Sequence, residues 1–182
     1  MPRLIERLLI VLASLGIAIG VIALLSGGLL AAHDAPGITG SGSGPGVGFP
    51  DQGAALLRPG DLQPVYDSNP PTSGPHVPVP VTSDGAQLSD YQLLQALEVG
   101  DVVFMYGTPG PPSGLARLAN SIAPFTPALA ATGGSVILAT RPGTVGVIAL
   151  AWTRMLHVAS VSDPQLRSFA EYWLGRGYAY AG

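Results

Sequence analysis

Ser89-Asp90-Tyr91-Gln92-Leu93-Leu94-Gln95-Ala96-Leu97-Glu98-Val99-Gly100-Asp101-Val102-Val103-Phe104-Met105-Tyr106 joins two patterns in one run. A serine followed three residues later by glutamine has the spacing of a capping box, in which two side chains satisfy backbone N–H groups at a helix start. Leu93, Leu94 and Leu97 then supply an apolar helix face, and Gly100 is placed to close the helix. From Asp101 the pattern changes. Val102-Val103-Phe104-Met105 is a continuous β-branched and aromatic run, which reads as a buried strand. A capped helix feeding directly into a strand sets the fold class of whatever surrounds it.

Downstream, Thr108 to Pro112 is a proline-rich loop. Leu115, Leu118 and Ile122 recur at helical spacing over 113–122, with Ser113 as a candidate cap and Pro124 and Pro127 as stops. Gly133-Gly134 precedes a second strand over 135–140, and Arg141-Pro142-Gly143 is a turn. A third strand spans 145–152 and continues after a bend as 155–158. Asp163-Pro164 opens a last helix with proline at its first position. Leu166, Phe169, Ala170 and Trp173 form its buried face, and Gly175 stops it. The order helix, strand, helix, strand, strand, helix predicts one small mixed α+β domain over 61–177, with three helices and three to four strands. Residues 178–182 read as a frayed tail.

Upstream lies Ser68-Asn69-Pro70-Pro71-Thr72-Ser73-Gly74-Pro75-His76. Its prolines lock their own φ and push their predecessors toward extended geometry, which excludes a helix. Ser68, Asn69, Thr72 and Ser73 can bond nearby backbone and fix turns. The result is a stiff loop that presents His76 in one direction. One reading is a preorganised site with His76 as metal ligand or hydrogen-bonding group. The other is an ordered loop over a sheet edge, with His76 bonded to backbone.

Residues 33–60 read as a tether, with a glycine–serine run over 37–46; within it, Phe49 to Arg58 is the first stretch able to touch the folded body. Before it, 8–32 carries no charged residue. As a helix it spans roughly 37 Å, against a hydrocarbon core of about 30 Å. Arg3 and Arg7 in the 1–7 tail place the N-terminus in the cytoplasm and the domain outside. The expectation is a single-pass, uncleaved membrane anchor; a cleaved signal peptide is the alternative.

The chain has 182 residues, of which 10% are charged and 47% hydrophobic, with a mean hydropathy of +0.41. That is too apolar for disorder. A net charge of −3 offers no basic surface, so no nucleic-acid partner is expected. With no cysteine, disulfides, thiolate zinc sites and cysteine nucleophiles are excluded. All eight basic residues are arginine.

Tyr66-Asp67-Ser68-Asn69-Pro70-Pro71-Thr72-Ser73-Gly74-Pro75-His76 resembles the Tyr-Asn-Ser-Asn-Pro-Pro-Thr-Ser-Gly-Pro-His run of a bacterial family, the domain of unknown function 3105. Leu97-Glu98-x-Gly100 followed by Val102-Val103 resembles its second motif, His-x-Leu-Glu-His-Gly and then a strand. The Arg141-Pro142-Gly143 turn, Ala151-Trp152 and the last helix through Gly175-Arg176-Gly177 also fit, so the resemblance covers about 62–177. It implies an anchored, extracytoplasmic bacterial protein. Three histidines across the family's two motifs imply an imidazole site for copper or zinc. In this chain the second motif's two histidines are replaced by Gln95 and Val99. On a helix these positions lie one turn apart on one face, where two ligands could share one ion. Valine has no donor atom. What remains is a lost site, or a weakened one made of His76, Glu98 and Gln95.

Other constellations are thin. Met105 and Met155 sit in apolar strands and read as core, and His157 reads as a strand histidine. Ser73, His76 and Asp67 or Asp84 contain the residue types of a hydrolase triad, without a Gly-x-Ser-x-Gly elbow. Glu98 and Asp101 are a possible carboxylate pair, but a Glu98 bonded to the 68–76 loop is the expected arrangement. Three functions stand in order: a non-catalytic interaction or assembly module of the cell envelope with an envelope-protein partner; a weakened copper or zinc protein centred on His76; and an enzyme of unknown reaction at His76 and Glu98. His76 is expected close to Glu98 and to the N-terminal half of the 89–99 helix, and a shared site at the two depends on that proximity.

Overall fold

The computed structural model describes residues 44–58 and 60–180. The expected span 8–32 and the tail before it lie outside the described residues, and among the described residues no helix is long and apolar enough to cross a membrane.

The fold is a mixed five-stranded sheet with helices on both faces. β1 is Val47–Gly48, α1 Asp90–Val99, β2 Val102–Tyr106, α2 Leu115–Ile122, α3 Pro127–Ala130, β3 Val136–Thr140, β4 Val147–Ala151, β5 Arg154–Val158 and α4 Pro164–Trp173. The strand order is β1-β5-β4-β2-β3. β2 and β3 are parallel, with Phe104 opposite Leu138; the other pairs are antiparallel, with Phe104 opposite Ala149 and Ala149 opposite Leu156. The parallel pair is joined through α2 and α3, a crossover that parallel strands require.

The period of two along β2 sorts its side chains between two cores. Val102, Phe104 and Tyr106 pack with Leu115 and Ala119 of α2 and Leu166, Phe169 and Ala170 of α4. Val103 and Met105 pack on the other face with Leu93, Leu94 and Leu97 of α1 and with Trp152. Both faces are covered, so every residue of β2 and β4 is buried, which is why these strands read as unbroken apolar runs.

The α+β class holds, with more pieces than the sequence announces. The fifth strand is β1, which lies inside the expected tether. Val47 pairs with Met155 and Gly48 with Arg154, and the Trp173 indole N–H donates to Pro45 O at 2.8 Å. Gly46 has φ +88, and a Cβ there would stand 2.7 Å from the Phe169 ring. Its glycine permits close approach to the core; composition alone reads it as flexibility. The fourth helix is the single turn α3. Pro127, expected as a stop, is instead its first residue, and Thr126 caps it by accepting from Leu129 N at 3.1 Å. α2 is capped by Gly114 at φ 88 rather than by Ser113. In the expected tail, 178–180 form a 3₁₀ turn, with the Tyr178 ring edge-on to Trp152.

Candidate functional site

α1 forms as its sequence dictates. Ser89 Oγ accepts from Gln92 N at 3.2 Å, Gln92 Oε1 accepts from Ser89 N at 3.1 Å, and Gly100 closes the helix at φ 112. The end of α1 is enclosed by backbone. A Cβ at Gly177 would meet Glu98 O, and one at Gly133 would meet Val99 O, each at 2.0 Å. Gly175 N donates to Gly100 O at 2.8 Å. Glu98 is thereby held in the last turn of a fixed helix.

The 68–76 loop is fixed from three sides. Internally, Thr72 N donates to Ser68 Oγ at 3.1 Å. The strap from Gly44 to Arg58 grips it: Ser73 Oγ donates to Pro50 O and accepts from Gln52 N, both at 3.1 Å. His76 N donates to Ala55 O at 3.1 Å, and Leu57 N to His76 O at 3.0 Å. The sheet holds it too, because Thr153 N, in the β4–β5 turn, donates to Thr72 O at 2.9 Å. Tyr66 OH donates to Pro75 O at 2.8 Å, and burial pushes that phenol up to about 12. Arg141 reaches the loop through a hydrogen bond to Asn69 Oδ1 and lies 3.6 Å from Asp90. The Asn69–Pro70 peptide is cis.

At the end of this loop His76 is 0% exposed. Its Nδ1 lies 3.0 Å from Gly74 O. A carbonyl only accepts, so Nδ1 carries a proton. Its Nε2 lies 3.1 Å from Glu98 Oε2, off the axis of a well-formed hydrogen bond. In the neutral ring with Nδ1–H, Nε2 is a lone pair facing a carboxylate. Two acceptors in that position repel unless a cation stands between them, the simplest being a proton on either partner. Glu98 also lies at the negative end of α1, where a positive neighbour is favoured.

His76 and Glu98 are therefore together, but the contact is with the last turn of α1, not its N-terminal half. Gln95 lines an adjoining groove with Val99, Pro78, Val81 and Ala130, and Asp101 lines the same groove. Asp101 is 1% exposed. Its Oδ1 accepts from Ser135 N at 2.8 Å, its Oδ2 has no hydrogen-bond partner among the described residues, and burial, opposed by the Ser135 N–H, pushes its carboxyl up to about 7. Glu98 and Asp101 thus serve different partners and do not form an acid–base pair. The triad arrangement is also absent. Ser73 Oγ is engaged by Pro50 and Gln52, His76 Nδ1 by Gly74, and Asp84 Oδ1 accepts from Leu138 N at 2.8 Å.

Over residues 62–179 the chain matches the model of a family described as "Protein of unknown function (DUF3105)". The chain belongs to this family. No curated protein and no solved structure matches it.

As a DUF3105 domain, this copy presents two cation donors where four close a structural zinc site. Among the described residues, no group of three or more His, Cys, Asp or Glu could hold a metal ion. Gln95 is the remaining neutral donor on this part of α1, and Val99 contributes only apolar surface. Met155 is buried, as expected of a core residue. His157 is exposed on β5, with Nε2 3.0 Å from Met155 Sδ, a contact that the reading of each residue alone did not anticipate. Asp101 has a place in the groove that sequence reasoning missed. Its signal was an acid directly before an all-apolar strand, a position from which burial is hard to avoid.

Proposed function

We propose that this chain is a membrane-tethered extracytoplasmic module that acts by contact with another envelope protein and carries out no catalysis. The observation that carries this reading is the closed His76–Glu98 contact. A wholly buried imidazole, with Nδ1 on a backbone carbonyl and Nε2 against a carboxylate, offers no face to a substrate. It fastens loop 68–76 to the end of α1. The motif that looked most like a site works as a staple between strap, loop and helix.

An interaction role is supported by the outer side of the strap and the segment after it. Leu56, Leu62 and Val65 are 61%, 90% and 89% exposed, three large apolar side chains within ten residues that contribute little to the core. A partner that covers them gains apolar burial. The 8–32 sequence supports the tether and its orientation.

The test is site-specific photocrosslinking in intact cells, with the reactive group at Leu62 or Val65 of the full chain and at exposed Glu171 as control. The expected result is a discrete adduct with one envelope protein from the first two positions only. Equal labelling from all three, or none, overturns the reading.

A second reading keeps a specific observation on its side. The lone pair of His76 Nε2 facing Glu98 is an arrangement that a copper or zinc ion can occupy in place of a proton, with Nδ1–H on a carbonyl orienting the ring as in many metal-bound histidines. Gln95 would be a supplementary donor. Stoichiometric zinc or copper binding by the full chain in detergent, abolished by His76→Ala, favours this reading over the first.

A further inference from the structure

The groove beside the staple combines features that the closed pair does not explain. Its volume is about 190 Å³. A dry cavity of about 150 Å³ accommodates a benzene ring, so this space suits one ring or a short aliphatic stem. Its walls are mostly apolar, with Pro78, Val81, Ala96, Val99 and Ala130 among them, and among the described residues no basic side chain lines it. One carboxyl does line it. Asp101 is 1% exposed, with Oδ1 satisfied by Ser135 N and Oδ2 without a hydrogen-bond partner among the described residues. A buried carboxyl oxygen left unpaired is costly, and such groups in native structures usually have a partner that completes them.

We propose that this groove is a binding site for a small primary ammonium on a one-ring or short aliphatic stem, with the ammonium donating to Asp101 Oδ2 and the stem lying against Val99, Ala96 and Pro78. The charge pattern selects the ligand class. An anion would meet a carboxyl with no cation to offset it, and a purely apolar ligand would leave Oδ2 as it is. An ammonium supplies donors for Oδ2 together with the positive charge that the wall lacks. The Gln95 side chain, half-buried on the same wall, can accept a second donor from the same group. Val99 is required as it stands, because the apolar stem needs a wall there.

The test is amide NMR of the isotopically labelled full chain in detergent at about pH 8, above the value near 7 to which burial lifts the Asp101 carboxyl. The probes are benzylamine, toluene and benzoate. Benzylamine is expected to shift Ala96, Val99, Asp101 and Ala130 with a Kd of about 1 mM, and toluene and benzoate to bind at least about tenfold more weakly. Asp101→Asn keeps the acceptor for Ser135 N but turns a donor toward the ligand, and should weaken benzylamine about tenfold or more. Val99→Phe fills the groove without touching the carboxyl and should abolish the shifts while leaving the rest of the spectrum in place. Blocked lysine is a further arm. Binding as tight as that of butylamine means that the ammonium can come from a protein side chain, and weaker binding means a free amine. No localised shifts with any amine, or equal binding of toluene and benzylamine unchanged by Asp101→Asn, overturns the assignment.

Discussion

His76 Nε2 and Glu98 Oε2 meet at 3.1 Å between two elements that approach from opposite directions in the sequence. One is a proline-locked loop held by the strap, the other the last turn of a helix whose end is packed by glycine backbone. The histidine is 0% exposed and the glutamate side chain 24%. Breaking the contact therefore leaves one partner able to reach water and the other not.

That asymmetry sets the first prediction. His76→Ala removes a wholly buried ring and leaves a cavity between loop 68–76 and the last turn of α1. The expected destabilisation is about 2–4 kcal/mol. Glu98→Gln keeps the shape and can turn its amide N–H to the Nε2 lone pair, and should cost about 1 kcal/mol. Chemical denaturation of the two variants checks the order; an equal or reversed order contradicts the staple.

Asp101 gives a pH dependence of opposite sign to a salt-bridged acid. Burial lifts its carboxyl from 3.8 to about 7 in the folded chain. Between those values the native state holds a proton that the unfolded chain has lost. Its contribution to stability is therefore full below about pH 4, falls as pH rises toward 7, and is flat above. The swing is on the order of 4 kcal/mol at most. Asp101→Asn keeps the acceptor for Ser135 N and never ionises. It should be more stable than the parent chain at pH 8 and no more stable at pH 4, as read from melting temperatures across that range.

The strap offers a third test. A Cβ on Gly46 would meet the Phe169 ring at 2.7 Å and Met155 O at 2.9 Å, at a φ of +88. Gly46→Ala should lift β1 from β5 and cost more than about 1 kcal/mol. The local readout is proteolysis between residues 44 and 58, which should accelerate in the variant. Unchanged cleavage there would mean that the strap is held mainly by its contacts with loop 68–76.

Much of this was legible where local chemistry and tertiary context agree. Ser89, Gln92 and Gly100 announce α1, and the run from Val102 to Met105 announces a strand that needs cover on both faces. The contact between His76 and Glu98 was also legible, through a motif pair whose residues stand in this chain. What failed were residues whose local meaning is set by distant neighbours. Gly46 reads as linker because glycine-rich composition is the same for a flexible segment and for backbone that must approach a ring. Pro127 reads as a stop because proline ends one helix by the same property that starts another. Asp101 stands directly before an apolar strand, which signals burial, but nothing near it in sequence identifies α1, Ser135 and the 78–81 segment as its surroundings.

The most direct test of the central claim is nitrogen NMR of the His76 ring in the full chain, before and after one equivalent of zinc and, separately, of copper(I). The staple predicts a protonated Nδ1 and an Nε2 resonance that neither ion moves, with the same result in a Gln95→Ala variant. A stoichiometric shift of Nε2 on addition of either ion, lost in Glu98→Ala, would contradict it and make this pair the remnant of a working metal site.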